Sequence, residues 1–234
     1  MCQSCGCGDP EIVPVEIHDR ILAGNDRTAR HNRQHFEEQN VLAVNLMGSP
    51  GSGKTALLEA TALRSGGARR LGAITGDLET ERDAERTRGA GIPSAAITTG
   101  SACHLDAELV HRALHDFPWR DLDYLFIENV GNLVCPAVYD LGQQVNVVAL
   151  SVTEGDDKPL KYPVMFRTAD LVVVTKVDLL AHLPEVSLEA IEDALARVMP
   201  VPAVLPLSSR TGEGVDRWLA WLDRRRGASE EEAS

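Results

Sequence analysis

Val41-Leu-Ala-Val-Asn-Leu-Met47 runs directly into Gly48-Ser-Pro-Gly-Ser-Gly-Lys-Thr55, and this junction decides the fold. The first seven residues, mostly apolar, have the length of a buried parallel strand, and Ala56-Leu-Leu-Glu-Ala60 beyond the turn is strongly helix-forming. A glycine-rich turn between a strand and a helix reads as a phosphate-binding loop. The predicted nucleotide contacts are Gly48, Ser49, Pro50, Gly51, Ser52, Gly53, Lys54 and Thr55. Backbone N–H groups of Gly51, Gly53 and Lys54 would ring a β-phosphate at the positive end of the new helix. Lys54 would bridge the β- and γ-phosphates, and the Thr55 hydroxyl would hold Mg²⁺.

Working outward, apolar runs recur at 71–75, 94–98, 123–127, 145–151, 170–174 and 202–207, with helical stretches at 77–88, 105–116, 187–198 and 215–226. This alternation predicts an α/β fold, a mostly parallel sheet flanked by helices. Residues 1–14 are expected to form a flexible cysteine-rich arm and 15–40 a helical segment with a break at Gly24-Asn25. The P-loop domain is expected over 41–226, ending in Arg224-Arg225-Arg226, and 227–234 is expected to be a disordered acidic tail. With 23 Lys+Arg against 35 Asp+Glu, the formal charge of -12 argues against nucleic-acid or anionic-membrane partners. No stretch approaches a membrane span and no signal core opens the chain, so a cytoplasmic location is expected.

The strand ending in Val172-Val-Val174 leads into Thr175-Lys176-Val177-Asp178. Guanine presents N1–H and a 2-amino group side by side, and one aspartate accepts both; adenine would leave it unpaired. Lys176 would lay its methylene stem along the base. Ser208, Ser209 and Arg210 end the next strand, where their loop's N–H groups could meet the guanine O6. Thr175 stands where guanine-binding proteins usually carry asparagine, which leaves the loop-bracing role of that side chain open. Each short motif is weak alone, but their order after a phosphate loop favours GTP/GDP over ATP.

Asp77 and Glu128 both terminate apolar runs, and either could contact Mg²⁺ directly or through water; a capping role for Asp77 competes with ligation. The catalytic candidates are therefore Lys54, Thr55, Asp77 and Glu128. Gly131 is a natural hinge, making 129–140 the candidate switch. No glutamine or arginine finger can be singled out, so slow turnover is expected.

Five cysteines, three of them within the first seven residues, favour metal or redox chemistry over a disulfide framework in a reducing compartment. Cys103, His104 and Cys135 offer two thiolates and an imidazole, a set that suits Zn²⁺ or Ni²⁺; buried structural cysteines are the competing reading. Glu108 is a candidate extra ligand on one helical face with His104, His111 and His115, the last two also readable as a solvated surface. Cys2, Cys5 and Cys7, with the α-amine of Cys2 if Met1 is removed, form a three-sulfur, one-nitrogen set that Ni²⁺ accepts in a square plane. A redox dithiol is the alternative there.

The phosphate loop, the Cys-x-x-Cys-Gly-Cys arm, Cys103-His104, Gly76-Asp77-Leu-Glu-Thr80, Thr153-Glu-Gly-Asp-Asp-Lys-Pro-Leu-Lys-Tyr-Pro163 and above all Ile127-Glu-Asn-Val-Gly-Asn-Leu-Val-Cys-Pro136 occur together in this one sequence. With these motifs the chain resembles the HypB family of hydrogenase nickel-incorporation accessory GTPases over nearly its whole length. The resemblance implies a homodimerising GTPase that helps deliver nickel to the large subunit of [NiFe]-hydrogenase. It implies work beside a zinc-containing accessory protein and, in some bacteria, a peptidyl-prolyl isomerase. It assigns Cys2, Cys5 and Cys7 to a tight nickel site and Cys103, His104 and Cys135 to a weaker nickel or zinc site. The histidine-rich stretch of some relatives is absent here. Rival readings are a metal-storage or zinc-binding protein with a nucleotide-stabilised fold, a urease-type nickel-insertion GTPase, and an ATP-dependent kinase.

Overall fold

The run around the phosphate loop becomes β1 (Leu42–Met47), a strand buried on both faces at the middle of a seven-stranded sheet. A computed structural model describes residues 13–77, 81–100 and 102–232; Cys2, Cys5 and Cys7 lie outside the described residues. The other strands are β2 (Leu71–Asp77), β3 (Ser94–Thr98), β4 (Tyr124–Glu128), β5 (Val145–Ser151), β6 (Leu171–Thr175) and β7 (Val204–Pro206), in the order β3-β2-β4-β1-β5-β6-β7. Every strand pairing is parallel, where the sequence predicted only a mostly parallel sheet. Parallel strands need crossovers that cover both faces, which is why their side chains read as continuous apolar runs.

The helices are α1 (Val13–Glu38), α2 (Lys54–Ser65), α3 (Arg82–Gly89), α4 (Ala107–Asp116), α5 (Lys158–Lys161), α6 (Pro163–Arg167), α7 (Leu188–Ala196) and α8 (Val215–Glu232). Alternate residues of β1 serve opposite layers. Leu42, Val44 and Leu46 pack with Leu57 and Leu58 of α2 and Trp218 and Leu222 of α8, while Ala43 packs with Phe36 of α1 and Val110 and Leu114 of α4. A third cluster joins Val148, Leu150, Val172 and Val174 to Ile191 and Leu195 of α7. The buried Trp218 indole donates to the Thr61 hydroxyl at 2.9 Å, so the α2–α8 contact has no unsatisfied N–H there.

Three expectations are corrected. The predicted break at Gly24-Asn25 does not occur: α1 runs through it, because Asn25, Ala29, Asn32 and Phe36 form one helical face anchored to the domain. Asn25 donates to the Asp140 carbonyl at 2.8 Å and accepts from the Ala107 amide at 2.9 Å. The chain beyond residue 226 is also helical as far as Glu232, where a disordered tail was expected. Gly227 costs only about 1 kcal/mol inside a helix, and Ala228 with the glutamates after it are good helix formers. Finally, the helices predicted from 77 and 105 start later, at Arg82 and Ala107, so Asp77 ends a strand and His104 precedes its helix.

The end of the candidate switch is clamped onto α1. Arg33 donates to both Asp140 carboxylate oxygens at 2.8 Å, and Gly142 lies so close that a Cβ there would meet the Ala29 carbonyl and Asn32 Cβ at 2.6 Å. Its φ of +94° is already in the left-handed region. Gly142→Ala is therefore expected to lower unfolding stability by about 2 kcal/mol or more. Gly24→Ala, on α1 itself with open space around it, is expected to raise it by about 0.5–1 kcal/mol. Urea unfolding followed by circular dichroism checks the opposite signs; equal effects would contradict the clamp.

Candidate functional site

Gly48, Gly51 and Gly53 have φ of 146°, 75° and 95°, and a Cβ on Gly48 would lie 2.4 Å from the Ala149 carbonyl oxygen. The loop is thus built from backbone that only glycine adopts comfortably. Three side chains brace it from other strands. The Ser49 hydroxyl donates to Glu154, the Thr175 hydroxyl donates to the Ser52 carbonyl at 2.6 Å, and Lys176 Nζ donates to the Gly51 carbonyl at 2.7 Å. Thr175 therefore does brace the loop, and the shorter side chain suffices because Gly53 lets the strand end approach within 3.4 Å of a would-be Cβ.

Lys54, 7 % exposed, donates to the Gly48 and Ser49 carbonyls at 3.2 Å each. Burial holds its pKa below the ordinary lysine value, against the pull of Glu128, Asp83, Glu154 and Asp77. The Thr55 hydroxyl sits between two carboxylates, 2.7 Å from Glu128 Oε1 and 2.9 Å from Asp83 Oδ1. One hydroxyl proton cannot satisfy both. Burial pushes the Glu128 carboxyl up to about 7, with Lys54 and Thr55 opposing, and its Oε2 is buried without a hydrogen-bond partner. An orphaned carboxylate oxygen beside a hydroxyl and a second acid is an all-oxygen donor set, which fits Mg²⁺. Asp77 lines the same cavity, of about 440 Å³, with Asp83, Arg86 and Gly131.

Asp83 and Arg86 were missed from the sequence because the charged stretch 81–88 reads as an ordinary solvated helix; only the fold turns α3 toward Thr55. Arg86 is held by Glu59 at 3.0 and 2.7 Å and lies 3.6 Å from Asp83.

A second cavity, about 280 Å³, adjoins the first at Gly53 and Ala56 and is lined by Thr175, Lys176, Asp178, Leu179, Ser208, Ser209 and Arg210. Among the described residues Asp178 is the one carboxylate in it, accepting from the Ser208 hydroxyl at 2.6 Å and lying 4.0 Å from Arg210 Nη1. The amides of Ser208, Thr211 and Gly212 bond within the loop, which leaves those of Ser209 and Arg210 as candidates for a carbonyl on the base.

The predicted sulfur and imidazole ligands converge. One donor atom each from Cys103, His104 and Cys135 lies within 4.8 Å of the others, with the Cys103 and Cys135 sulfurs 2.9 Å apart and Cys103 Sγ 3.7 Å from His104 Nδ1. All three are half-buried, and the His104 ring stacks on Tyr139 with centroids 3.9 Å apart. The shared hydrogen bond with Cys103, which favours the protonated thiol, and then burial raise the Cys135 pKa, while burial lowers that of His104. Two sulfurs and a neutral imidazole form a three-donor set for Zn²⁺ or Ni²⁺ with a position left open. Glu108 is not part of it: it is exposed and 3.9 Å from Arg112, because His104 lies ahead of α4 rather than on its face.

Asn129 joins the two sites, and the sequence did not single it out beyond its place in the switch. Buried at 1 % exposure, it accepts from the Leu105 amide at 3.1 Å, next to His104, and donates to Asn45 of β1 at 3.2 Å. Further along, Asn132 forms an antiparallel bridge with Gly48, and a Cβ on Gly131 would meet Pro50 at 2.9 Å. The short turn Cys135–Ala137 follows.

Residues 42–205 match the CobW/HypB/UreG nucleotide-binding domain. A hydrogenase maturation factor HypB of Azotobacter chroococcum is 50 % identical over 214 residues, covering 92 % of this chain and 70 % of the relative. The crystal structure of the hydrogenase maturation factor HypB from Archaeoglobus fulgidus is 42 % identical with a TM-score of 0.79, covering 89 % of this chain and all of that one. HypB from Helicobacter pylori, crystallised in complex with nickel, is 37 % identical with a TM-score of 0.83, covering 88 % and 96 %. With its phosphate loop, acid-lined cavity and Cys-His-Cys cluster on one such sheet, the chain belongs to the HypB family of hydrogenase maturation factors.

Proposed function

We propose that this chain is a GTP-hydrolysing nickel carrier for [NiFe]-hydrogenase maturation, in which the nucleotide state sets how tightly Cys103, His104 and Cys135 hold the ion. The observation that carries this reading is the span from Glu128 to Cys135. It starts at the Thr55 hydroxyl, crosses the phosphate loop at Gly131 and Asn132, and ends at a sulfur of the metal cluster.

Thr55, Asp83, Glu128 and Asp77 would hold Mg²⁺, which when bound supplies electrostatic stabilisation of charge on the phosphate oxygens. Lys54 exchanges its two neutral carbonyl partners for phosphate. Gly131 and Asn132 read whether a γ-phosphate is present, since they lie against Pro50 and Gly48. Asp178 selects guanine by accepting from N1–H and the 2-amino group, with Ser208 holding its carboxylate in place. The Arg86 guanidinium is already committed to Glu59 and Asp83, which supports slow intrinsic hydrolysis and a timing role.

Nickel is cargo in this reading, and the open position of the three-donor set is where a transfer partner or a second copy supplies a ligand. A homodimer, a zinc-containing accessory protein, a peptidyl-prolyl isomerase and the hydrogenase large subunit are the partners proposed, with Cys2, Cys5 and Cys7 as a tighter nickel site. Among the described residues no helix is long and apolar enough to cross a membrane.

Three measurements test this. Nickel affinity of the Cys103/His104/Cys135 site is expected to differ at least fivefold between the GDP and GTP-analogue states, and Asn129→Ala is expected to shrink that ratio toward one while GTP still binds. Equal affinities in the unmodified protein would rule the coupling out. Asp178→Asn is expected to weaken GTP binding about 10²-fold or more without improving ATP binding, read by competition with a fluorescent nucleotide.

The third concerns protons. The Glu128 carboxyl is raised from 4.5 to about 7 in the folded chain, chiefly by burial, so folding takes up a proton between those values. Without metal or nucleotide, stability should therefore fall as pH rises from about 4.5 to 7 and level off above, by roughly 3 kcal/mol. Glu128→Gln should remove that fall, and parallel pH profiles in urea unfolding would contradict it.

A further inference from the structure

Four of the chain's seven histidines meet where α1 packs against α4. His31 and His35 are one helical turn apart on α1, and His111 and His115 one turn apart on α4, the helix that α1 packs against. Ring centroids are 4.3 Å apart for His31–His35, 5.2 Å for His31–His111, 6.3 Å for His35–His111 and 5.3 Å for His111–His115. We propose that this face is a second transition-metal site, in which His31 and His35 chelate a divalent ion of the Ni²⁺ or Zn²⁺ class and draw in His111, whose donor atoms do not lie within 4.8 Å of both, with His115 at its rim.

The geometry favours ligation in three ways. The Nε2 atoms of His31 and His35 are 3.0 Å apart. Two nitrogens each about 2.0–2.1 Å from one ion stand about 2.9–3.4 Å apart, from right-angled to tetrahedral, so this pair is already at chelating separation. A hydrogen bond between two imidazoles holds the same place in the metal-free chain; when the ion takes it, the shared proton moves to Nδ1 of the ring that carried it, so both ligands stay neutral and no net proton is released.

His111 is held in the tautomer a ligand needs. Asn32, 0 % exposed, donates through Nδ2 to the Ala107 and Leu141 carbonyls at 2.9 and 3.1 Å, which fixes its amide orientation. Its Oδ1 then accepts from His111 Nδ1 at 2.9 Å. The proton sits on Nδ1, and the lone pair is on Nε2.

Finally, Glu38 Oε2 lies 4.0 Å from Nδ1 of His35, too far for a hydrogen bond but near enough for its negative charge to favour a bound cation. The imidazoles of His31 and His115 are exposed and those of His35 and His111 half-buried, so an ion can enter from solvent. Bound there, it would clamp α1 to α4. This inference is independent of the nickel hand-off proposed above.

Trp119 supplies a local probe, its ring centroid 6.2 Å from that of His35. The test uses the full chain with Cys2, Cys5, Cys7, Cys103 and Cys135 changed to Ser and His104→Ala, titrated with Ni²⁺ by calorimetry and by tryptophan fluorescence. One equivalent of Ni²⁺ is expected to bind and quench. His31→Gln, His35→Gln and His111→Gln together should weaken binding at least tenfold, and Trp119→Phe should remove most of the quench while binding persists. No binding in the cysteine-free chain, or equal binding after the three histidine changes, would overturn the site. If the cysteine-free chain fails to fold, equilibrium dialysis of the otherwise unmodified chain decides: the three glutamines should lower Ni²⁺ stoichiometry by one equivalent, and unchanged stoichiometry overturns the proposal.

Discussion

A carboxylate with 2 % of its surface exposed must be answered by a positive charge, a proton or hydrogen bonds, and the nucleotide end of this sheet is arranged around answering Glu128. Register places it. Glu128 pairs with Leu46 on one side and Thr75 on the other, so the acid stands between the strand that feeds the phosphate loop and the strand that ends in Asp77. A slip of one residue would turn it to the other face of the sheet. From this position it accepts from Thr55 and faces the Lys54 ammonium, and it leaves one oxygen unpaired. A site that is uncomfortable when empty binds a cation and an anionic nucleotide together more favourably than either alone, because each lowers the cost of burying the other's partner.

The same strand end carries the connection to sulfur. Asn129 follows Glu128 directly, and its buried amide is bonded to the segment bearing Cys103 and His104 on one side and to β1 on the other. Any motion of the β4 terminus has to break or carry those bonds, each costing about 1 kcal/mol or more to leave unmade. Gly131 and Asn132 add a second tie, to the phosphate loop itself. At its far end the segment is pinned by Arg33–Asp140 and the tight seat of Gly142. Residues 129–140 are thus fixed at both ends, with Cys135 between the anchors, an arrangement suited to two discrete positions rather than continuous drift.

What could be read from sequence was what is local. The phosphate loop, the strand-terminal acids and the Lys176–Asp178 turn were legible as motifs, because they are written in short spacings beside apolar runs; Cys103-His104 and Cys135, 32 residues apart, were grouped by residue type and by the resemblance to the HypB family. The unread features are those that depend on distant pieces meeting. Asp83 and Arg86 look like solvated helix residues until α3 is placed over Thr55. Thr175 looks like a weakened motif until Gly53 is seen to let it reach Ser52. The break expected at Gly24-Asn25 fails because local propensity is outweighed by tertiary bonds from Asn25 and Asn32 to α4 and the loop at 140–141. His111 and His115 were visible as a pair, but only the packing of α1 on α4 brings His31 and His35 to them.

The proposed coupling also works in reverse, since a coupling free energy between two sites acts equally on both. If the GTP state moves Cys135 relative to Cys103 and His104, then an ion that draws those three donors together pulls on the same segment from its other end. That pull reaches Gly131 against Pro50 and Asn132 against Gly48, the contacts that would register the γ-phosphate. Metal load would then bias which nucleotide the cavity prefers, without a separate sensor. In a carrier built this way, the sulfur atoms that would hold the ion are tied, through Asn132 and Gly131, to the loop that would hold the phosphates, so the same segment would register both.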